Sequence, residues 1–192
     1  ALGALAEQIS VPALVPYTSN ITGVPTYDVA YVRDGAAVPI SLTSMLDAIG
    51  PGSVDAVARG IRERLDADAR LGDAGGQAAR RIDPAVIEVG GAHVGVALSL
   101  GDLDAFCAGD LDADVICLMP VDGYDTDDET TSLAPAVSDG CFVPEAADAD
   151  AWLAVAGASG AYEDMVYCGG SFVMAPWGEL AAAASSFGEE LL

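Results

Sequence analysis

A strand that is apolar at nearly every position is stable only where both of its faces are covered, and DVICLM, Asp114 to Met119, is such a run. It has company. PALVPY (Pro12–Tyr17), VIEV (Val86–Val89), HVGVALS ending at Ser99, WLAVA (Trp152–Ala156), MVYC (Met165–Cys168) and SFVMA (Ser171–Ala175) are all short, apolar and rich in β-branched or aromatic residues. Glycine punctuates them, as Gly90-Gly91, Gly169-Gly170 and Pro176-Trp177-Gly178, each expected to be a turn. YDVAYVR (Tyr27–Arg33), Asp34-Gly35 and AAVPI read together as a hairpin, because Asp-Gly supplies the left-handed backbone that a two-residue loop requires. Between these strands lie helical signals. Leu2, Leu5 and Ile9 open the chain at helical spacing, and Val54, Val57, Ile61 and Leu65 follow the N-cap candidate Ser53 with Arg59, Arg62, Glu63 and Arg64 mostly on other faces. GDAGGQAA, Gly72 to Ala79, is expected to be a loop. Strands alternating with helices predict a layered α/β domain rather than an all-β sandwich.

Two stretches share one plan. PALVPYTSNITGVPTYDVAYVRDGAAVPI and AWLAVAGASGAYEDMVYCGGSFVMAP each run buried strand, glycine-containing loop, Tyr-Asp or Glu-Asp opening, strand, glycine turn, returning strand. Two related halves around a common core are therefore expected, with the Tyr27 and Met165 strands in equivalent places.

With 192 residues, 52% of them hydrophobic, the chain is long enough to bury one medium core. The 30 acidic residues face only 7 arginines and no lysine, a formal charge of −23, which repels nucleic-acid phosphates and anionic membranes alike. No nucleic-acid or membrane partner is expected. The acidic surface is read as a solubility device, with adaptation to high salt as the sharper alternative. No apolar run of about 18 residues and no basic leader is present, so a cytoplasmic location is expected. The first residue is an alanine inside a helical pattern, which suggests a processed product or a piece of something longer.

Candidate chemistry is sparse. Cys107, Cys117, Cys141 and Cys168 lack CxxC spacing and there is one histidine, so no zinc quartet and no other cofactor is expected, and Cys117 and Cys168 read as buried free thiols. DGYDTDDE, Asp122 to Glu129, lacks the Gly and Glu of a calcium loop and reads as a solvated loop. Trp152 and Trp177 are expected in the core or an interface. Ser99 is the one hydroxyl delivered by a strand end, the way hydrolases often present a nucleophile. His93 is six residues earlier on the same strand, about 20 Å away along extended chain, so the two cannot form a pair. A strand-end structural role is the competing reading of Ser99.

Residues 157–192, GASGAYEDMVYCGGSFVMAPWGELAAAASSFGEELL, resemble the nitrilase (carbon-nitrogen hydrolase) superfamily, through Gly169, Gly170, Ser171, Gly178, Glu179, Phe187 and Glu189. Within it they are most similar to the glutamine-hydrolysing domain of bacterial NAD synthetases. VIEVGGAHVGVALSLGDL resembles the strand that carries the family's nucleophile, and LVPYTSNITGVPTYDVAYVRDGAAVPI an earlier strand and hairpin. The resemblance implies a single nitrilase-like domain over 1–192, lacking N-terminal strands and a helix, with 43–79 a divergent helix and loop. It implies an α/β fold, a four-layer αββα sandwich of nitrilase type with pseudo-twofold related halves. It also implies a Glu, Lys and Cys trio, which this chain does not reproduce. Ser99 stands at the cysteine position, followed by Leu100-Gly101-Asp102 in place of the usual Glu-Asp. Only Arg62, Arg64 and Arg70 lie where the lysine would fall, and the glutamate segment would precede residue 1. Asp122-Gly123, with Tyr124 beside it, occupies the place of a Ser-Pro pair that contacts glutamine, making Asp122 and Tyr124 a relic substrate pocket. Arg80-Arg81 matches an arginine ahead of the nucleophile strand, expected to pin a loop through carboxylates.

Three functions follow as expectations. The first is a catalytically degenerate, nitrilase-like domain with a structural or oligomerisation role, self-associating and attached to a synthetase domain or subunit. The second is an active glutaminase supplying ammonia for NAD synthesis, its missing residues outside the chain. The third is an unrelated serine hydrolase using Ser99.

Overall fold

The computed structural model describes residues 4, 7–19, 25–42, 80–120, 140, 142–162, 165–188, 190 and 192. The opening helix is mostly, and the 53–65 helix, the 72–79 loop and the acidic 122–129 segment are wholly, outside them. The chain divides into two compact units, Ala1–Ile82 and Asp83–Leu192.

In the first unit β1 (Ala13–Ser19), β2 (Thr26–Arg33) and β3 (Ala36–Pro39) form an antiparallel meander. The Asp34-Gly35 turn sets its register as the sequence predicts: both residues take positive φ, 52° and 77°, and Arg33 faces Ala36. β4 (Arg80–Arg81) adds in parallel to the start of β2, pairing Thr26 with Arg80. Thus Arg80-Arg81 belongs to a short strand. Val29, Ala30 and Val32 are fully buried, and with them lies one charged residue, Asp28. Its carboxylate accepts from the hydroxyls of Tyr17 (2.9 Å) and Ser41 (2.5 Å) and from the amides of Val29 (2.7 Å) and Ser41 (3.3 Å). Tyr17 is the cross-strand partner of Asp28, so a buried polar clasp ties β1 to β2 and to the chain leaving β3.

The second unit is built on a six-stranded sheet in the order β12-β11-β8-β7-β6-β5. β5 (Ala85–Val89) and β6 (Ala92–Ala97) form a hairpin on Gly90-Gly91; β6, β7 (Val115–Leu118) and β8 (Trp152–Val155) run parallel. The β6–β7 connection contains a 3-10 turn at Leu100–Leu103 and α1 (Asp104–Cys107), and the β7–β8 connection contains α2 (Val143–Asp148). Two rows of residues cross the sheet in register, Gly95-Ile116-Leu153-Met174 and Ala97-Leu118-Val155-Phe172. All are buried on the face that carries Leu103, Phe106, Phe142 and Ala146. Each fully buried large side chain in such a row contributes about 1.5–3 kcal/mol. The Phe142 and Phe172 rings lie 5.0 Å apart. Gly95 is required in its row because the Phe106 ring lies over it: a Cβ there would come within 2.6 Å of Phe106 Cε1. On the opposite face Val115 and Cys117 are half-buried, so β7 is fully enclosed on one side rather than both.

The repeat expected from the sequence fails at the level of pairing. β2 is central in its sheet, but β10 (Met165–Cys168) pairs only with β9 (Ser159–Tyr162) in a two-stranded ribbon among the described residues. β11 (Phe172–Met174) pairs instead with β8 and β12 (Leu180–Ala183). Gly169-Gly170, with φ of 70° and 75°, therefore carries the chain out of the ribbon and into the sheet rather than closing a hairpin. The apolar row needs Phe172 opposite Val155, and that demand outweighs the local turn signal.

Candidate functional site

Hydrogen bonds align the C-terminal ends of the parallel strands. The amide of Met119 donates to the carbonyl of Ala97 (2.8 Å) and that of Ala156 to Leu118 (2.9 Å), while the Gly157 amide donates to Ser171 Oγ (3.0 Å). Ser99 sits at this rim, two residues beyond β6 and 8% exposed, as the sequence predicts for a strand end. Its backbone is extended (φ −149°, ψ 163°) and it caps the 3-10 turn that follows. Asp102 Oδ2 accepts from the amides of both Leu98 (2.8 Å) and Ser99 (2.9 Å). This is the reciprocal half of a Ser-x-x-Asp capping arrangement, legible in the sequence as a spacing but not singled out there. Its chemical consequence is that the carboxylate nearest Ser99 in the chain is committed to backbone amides.

The one histidine of the chain lies elsewhere. His93 is exposed near the other end of β6, across from Glu88; its amide donates to Asp114 Oδ2 (2.7 Å), and its Nδ1 lies 3.9 Å from the same oxygen. Ser171 is at the same rim as Ser99, but β7 and β8 intervene between β6 and β11, a separation of about 14 Å at ordinary strand spacing. The two hydroxyls cannot meet on one reacting atom.

Neither described thiol is an activated nucleophile. Burial pushes the Cys117 thiol up. Cys107 is also raised, by burial and then by Asp148, Glu145 and Asp104, and its Sγ–H points to the Glu145 carbonyl at 3.6 Å. Among the described residues no three His, Cys, Asp or Glu side chains gather as a metal site. No helix among them is long and apolar enough to cross a membrane.

Beside Ser171 lies a hollow of about 280 Å³ lined by Gly157, Ser159, Gly169, Gly170, Ser171 and Glu190 among others. Glu190 Oε2 accepts from the Ser185 amide (2.9 Å) and hydroxyl (3.1 Å), which hold its carboxyl below the usual range. Glycine amides, hydroxyls and one anion can bind a small polar group but hold no base poised for proton transfer. Gly169, Gly170 and Ser171 stood out in the sequence, and Glu190 as the last residue of the Phe-x-Glu-Glu stretch that enters the resemblance; Ser159 carried no signal, because only the ribbon brings it there. Asp122, Tyr124, Arg62, Arg64 and Arg70 lie outside the described residues. Trp152 and Trp177 are not core residues. They are exposed, and they contact each other.

No family model and no curated protein matches the chain. Solved structures do. The glutamine-dependent NAD+ synthetase from Acinetobacter baumannii, in complex with ADP, matches with a TM-score of 0.60 at 16% identity, over 98% of this chain and 32% of that one. An amidase from Nesterenkonia sp. AN1, with the acetamide moiety of fluoroacetamide added covalently at its active-site cysteine, matches with a TM-score of 0.58 at 14% identity, over 96% of this chain and 61% of that one. Another structure of the Nesterenkonia amidase, described as of the nitrilase superfamily, gives a TM-score of 0.52 at 14% identity over the same shares. The chain thus spans about a third of the synthetase and three fifths of the amidase.

Proposed function

We propose, with the nitrilase-like fold related to the NAD synthetase glutaminase domain as premise, that this chain is a catalytically degenerate member of that group with a structural or oligomerisation role. The observation that carries the reading is the state of Ser99. A strand end that could present a nucleophile carries a hydroxyl, its neighbouring carboxylate Asp102 is bound to backbone amides, and the chain has no lysine to stabilise an oxyanion. The finer architecture belongs to the same proposal: residues 1–192 as one nitrilase-like domain, a four-layer αββα sandwich. So do the relic pocket at Asp122 and Tyr124, self-association, a synthetase domain or subunit as partner, and a cytoplasmic location.

Coverage of only 32% of the synthetase favours one second reading, an active glutaminase completed by residues outside the chain. Ammonia release from glutamine separates the two. The chain, Ser99→Cys and Ser99→Ala are expected to release none, because members of a catalytic trio act as a unit and one restored member contributes little. Turnover that disappears in Ser99→Ala would overturn the degenerate reading. Turnover by the same chain only within its complete reading frame would establish the second. Sedimentation tests self-association, and a monomer at high micromolar concentration would refute it.

A further inference from the structure

The chain has two tryptophans, and they meet. Trp152 opens β8, and Trp177 lies in the turn between β11 and β12. Their ring centroids are 5.5 Å apart and their planes 76° apart, so the two indoles form the walls of a corner. Trp177 is 67% exposed and Trp152 36%. The corner is at the end of the sheet opposite Ser99, since Trp152 is level with Val115 at the start of β7 whereas Ser99 follows the end of β6. It is separate from the rim site.

The corner is held in shape. Gly178 donates to the Ala175 carbonyl and Ala175 to that of Glu179, closing the turn that carries Trp177. Trp177 Nε1 donates to Glu179 Oε2 at 2.9 Å, which fixes the indole and sets a carboxylate at its edge. Asp114 holds the start of β8 through its carbonyl, which accepts from the Trp152 amide, while its carboxylate is turned to the His93 amide on β6, so Glu179 is the carboxylate of the corner. Aromatic faces carry a negative quadrupole, and carboxylates at their edges deepen the attraction for a cation. The second unit has almost no cation of its own: all seven arginines lie at or before Arg81, and beyond Ile82 only His93 can become positive.

We propose that the Trp152–Trp177 corner docks an arginine side chain presented by a partner protein segment. A guanidinium is planar, stacks on one indole and directs its N–H fork to the Glu179 carboxylate, a match that a compact ammonium does not make. The proposal is independent of whether the rim site is degenerate.

Because the corner contains every tryptophan, selective tryptophan excitation of the intact chain reads this site alone. The probe is a capped glycine-arginine-glycine peptide, set against the same peptide with citrulline, which keeps the shape and loses the charge, and against choline. A saturable fluorescence change is expected with the arginine peptide, roughly two- to fivefold tighter than with citrulline or choline. Trp177→Ala, whose side chain is largely in solvent, should remove that preference while leaving the circular dichroism unchanged, and Glu179→Gln should reduce it. Equal affinity for the citrulline peptide, or no saturation, would overturn the proposal. Tighter choline binding would overturn the occupant in favour of a small quaternary cation. A self-association that Trp177→Ala dissolves would do so in favour of a second copy of the chain.

Discussion

Replacing Gly95 by alanine tests whether the close approach of Phe106 to β6 is a real constraint. The new Cβ would lie 2.6 Å from Phe106 Cε1, 2.8 Å from Cζ and 3.3 Å from Ala113 Cβ. Carbon atoms settle at about 3.5–4.0 Å, so ring or strand must move by about 1 Å. Phe106 is 3% exposed, among Leu103, Ala113 and Ile116, and has little room to do so. Overpacking of this kind costs about 1–3 kcal/mol. Against it stands the lower entropy of the unfolded alanine chain, about 0.4–1 kcal/mol in favour of the variant, since Gly95 is not in a left-handed conformation. The net expectation is a loss of up to about 2.6 kcal/mol, read as a lower urea midpoint at unchanged slope. The second arm is the decisive one. In a Phe106→Leu background the ring is gone, and Gly95→Ala should become neutral or stabilising, a coupling that a double-mutant cycle measures directly. A Gly95→Ala cost of the same size with and without the ring would refute the reasoning.

Three further outcomes are expected. Asp102→Ala should destabilise the second unit by about 1–3 kcal/mol through two orphaned amides, while Asp102→Asn retains an acceptor and loses less; matched urea midpoints for the two would contradict the Asp102 cap. Burial, then the Asp28 charge and hydrogen bond, raise the Tyr17 hydroxyl above its ordinary value of about 10. The native state therefore holds that proton longer than the unfolded chain, so the stabilisation is complete below about pH 10 and is lost as pH rises beyond it. Tyr17→Phe should show a shallower alkaline loss of stability, and an unchanged profile would sink this account. Cys107 and Cys117, both half-buried and with raised thiols, should be alkylated slowly at neutral pH and fast in urea, and mass mapping of those two positions that found fast native labelling would contradict the raised thiols.

Self-contained local signals translated directly into structure. Asp34-Gly35 and Gly90-Gly91 specify two-residue turns by backbone conformation alone, and the strands beside them formed within a residue or two of their apolar runs. Other elements had no such signal. β9, SGAY, and β12, LAAA, carry no β-branched residue, and they are strands because β10 and β11 offer them hydrogen-bonding edges. Of the candidate site, the rim position of Ser99 was legible because a strand's end can be read from where its apolar run stops. The engagement of Asp102 was present only as an unused spacing, and the hollow beside Ser171 was not legible at all.

The amino-acid sequence by itself determined a mixed α/β chain, a nitrilase-like resemblance, a charge that repels nucleic acid, and the absence of lysine and of a cysteine at Ser99. These are properties of composition, local periodicity and residue identity, and no fold can change them. Tertiary structure alone decided that β11 pairs with β8 rather than β10, that Asp28 is buried with four donors around it, and that two tryptophans 25 positions apart share one exposed corner. Each depends on which distant segments meet, a choice made by the fit of whole apolar rows across the sheet.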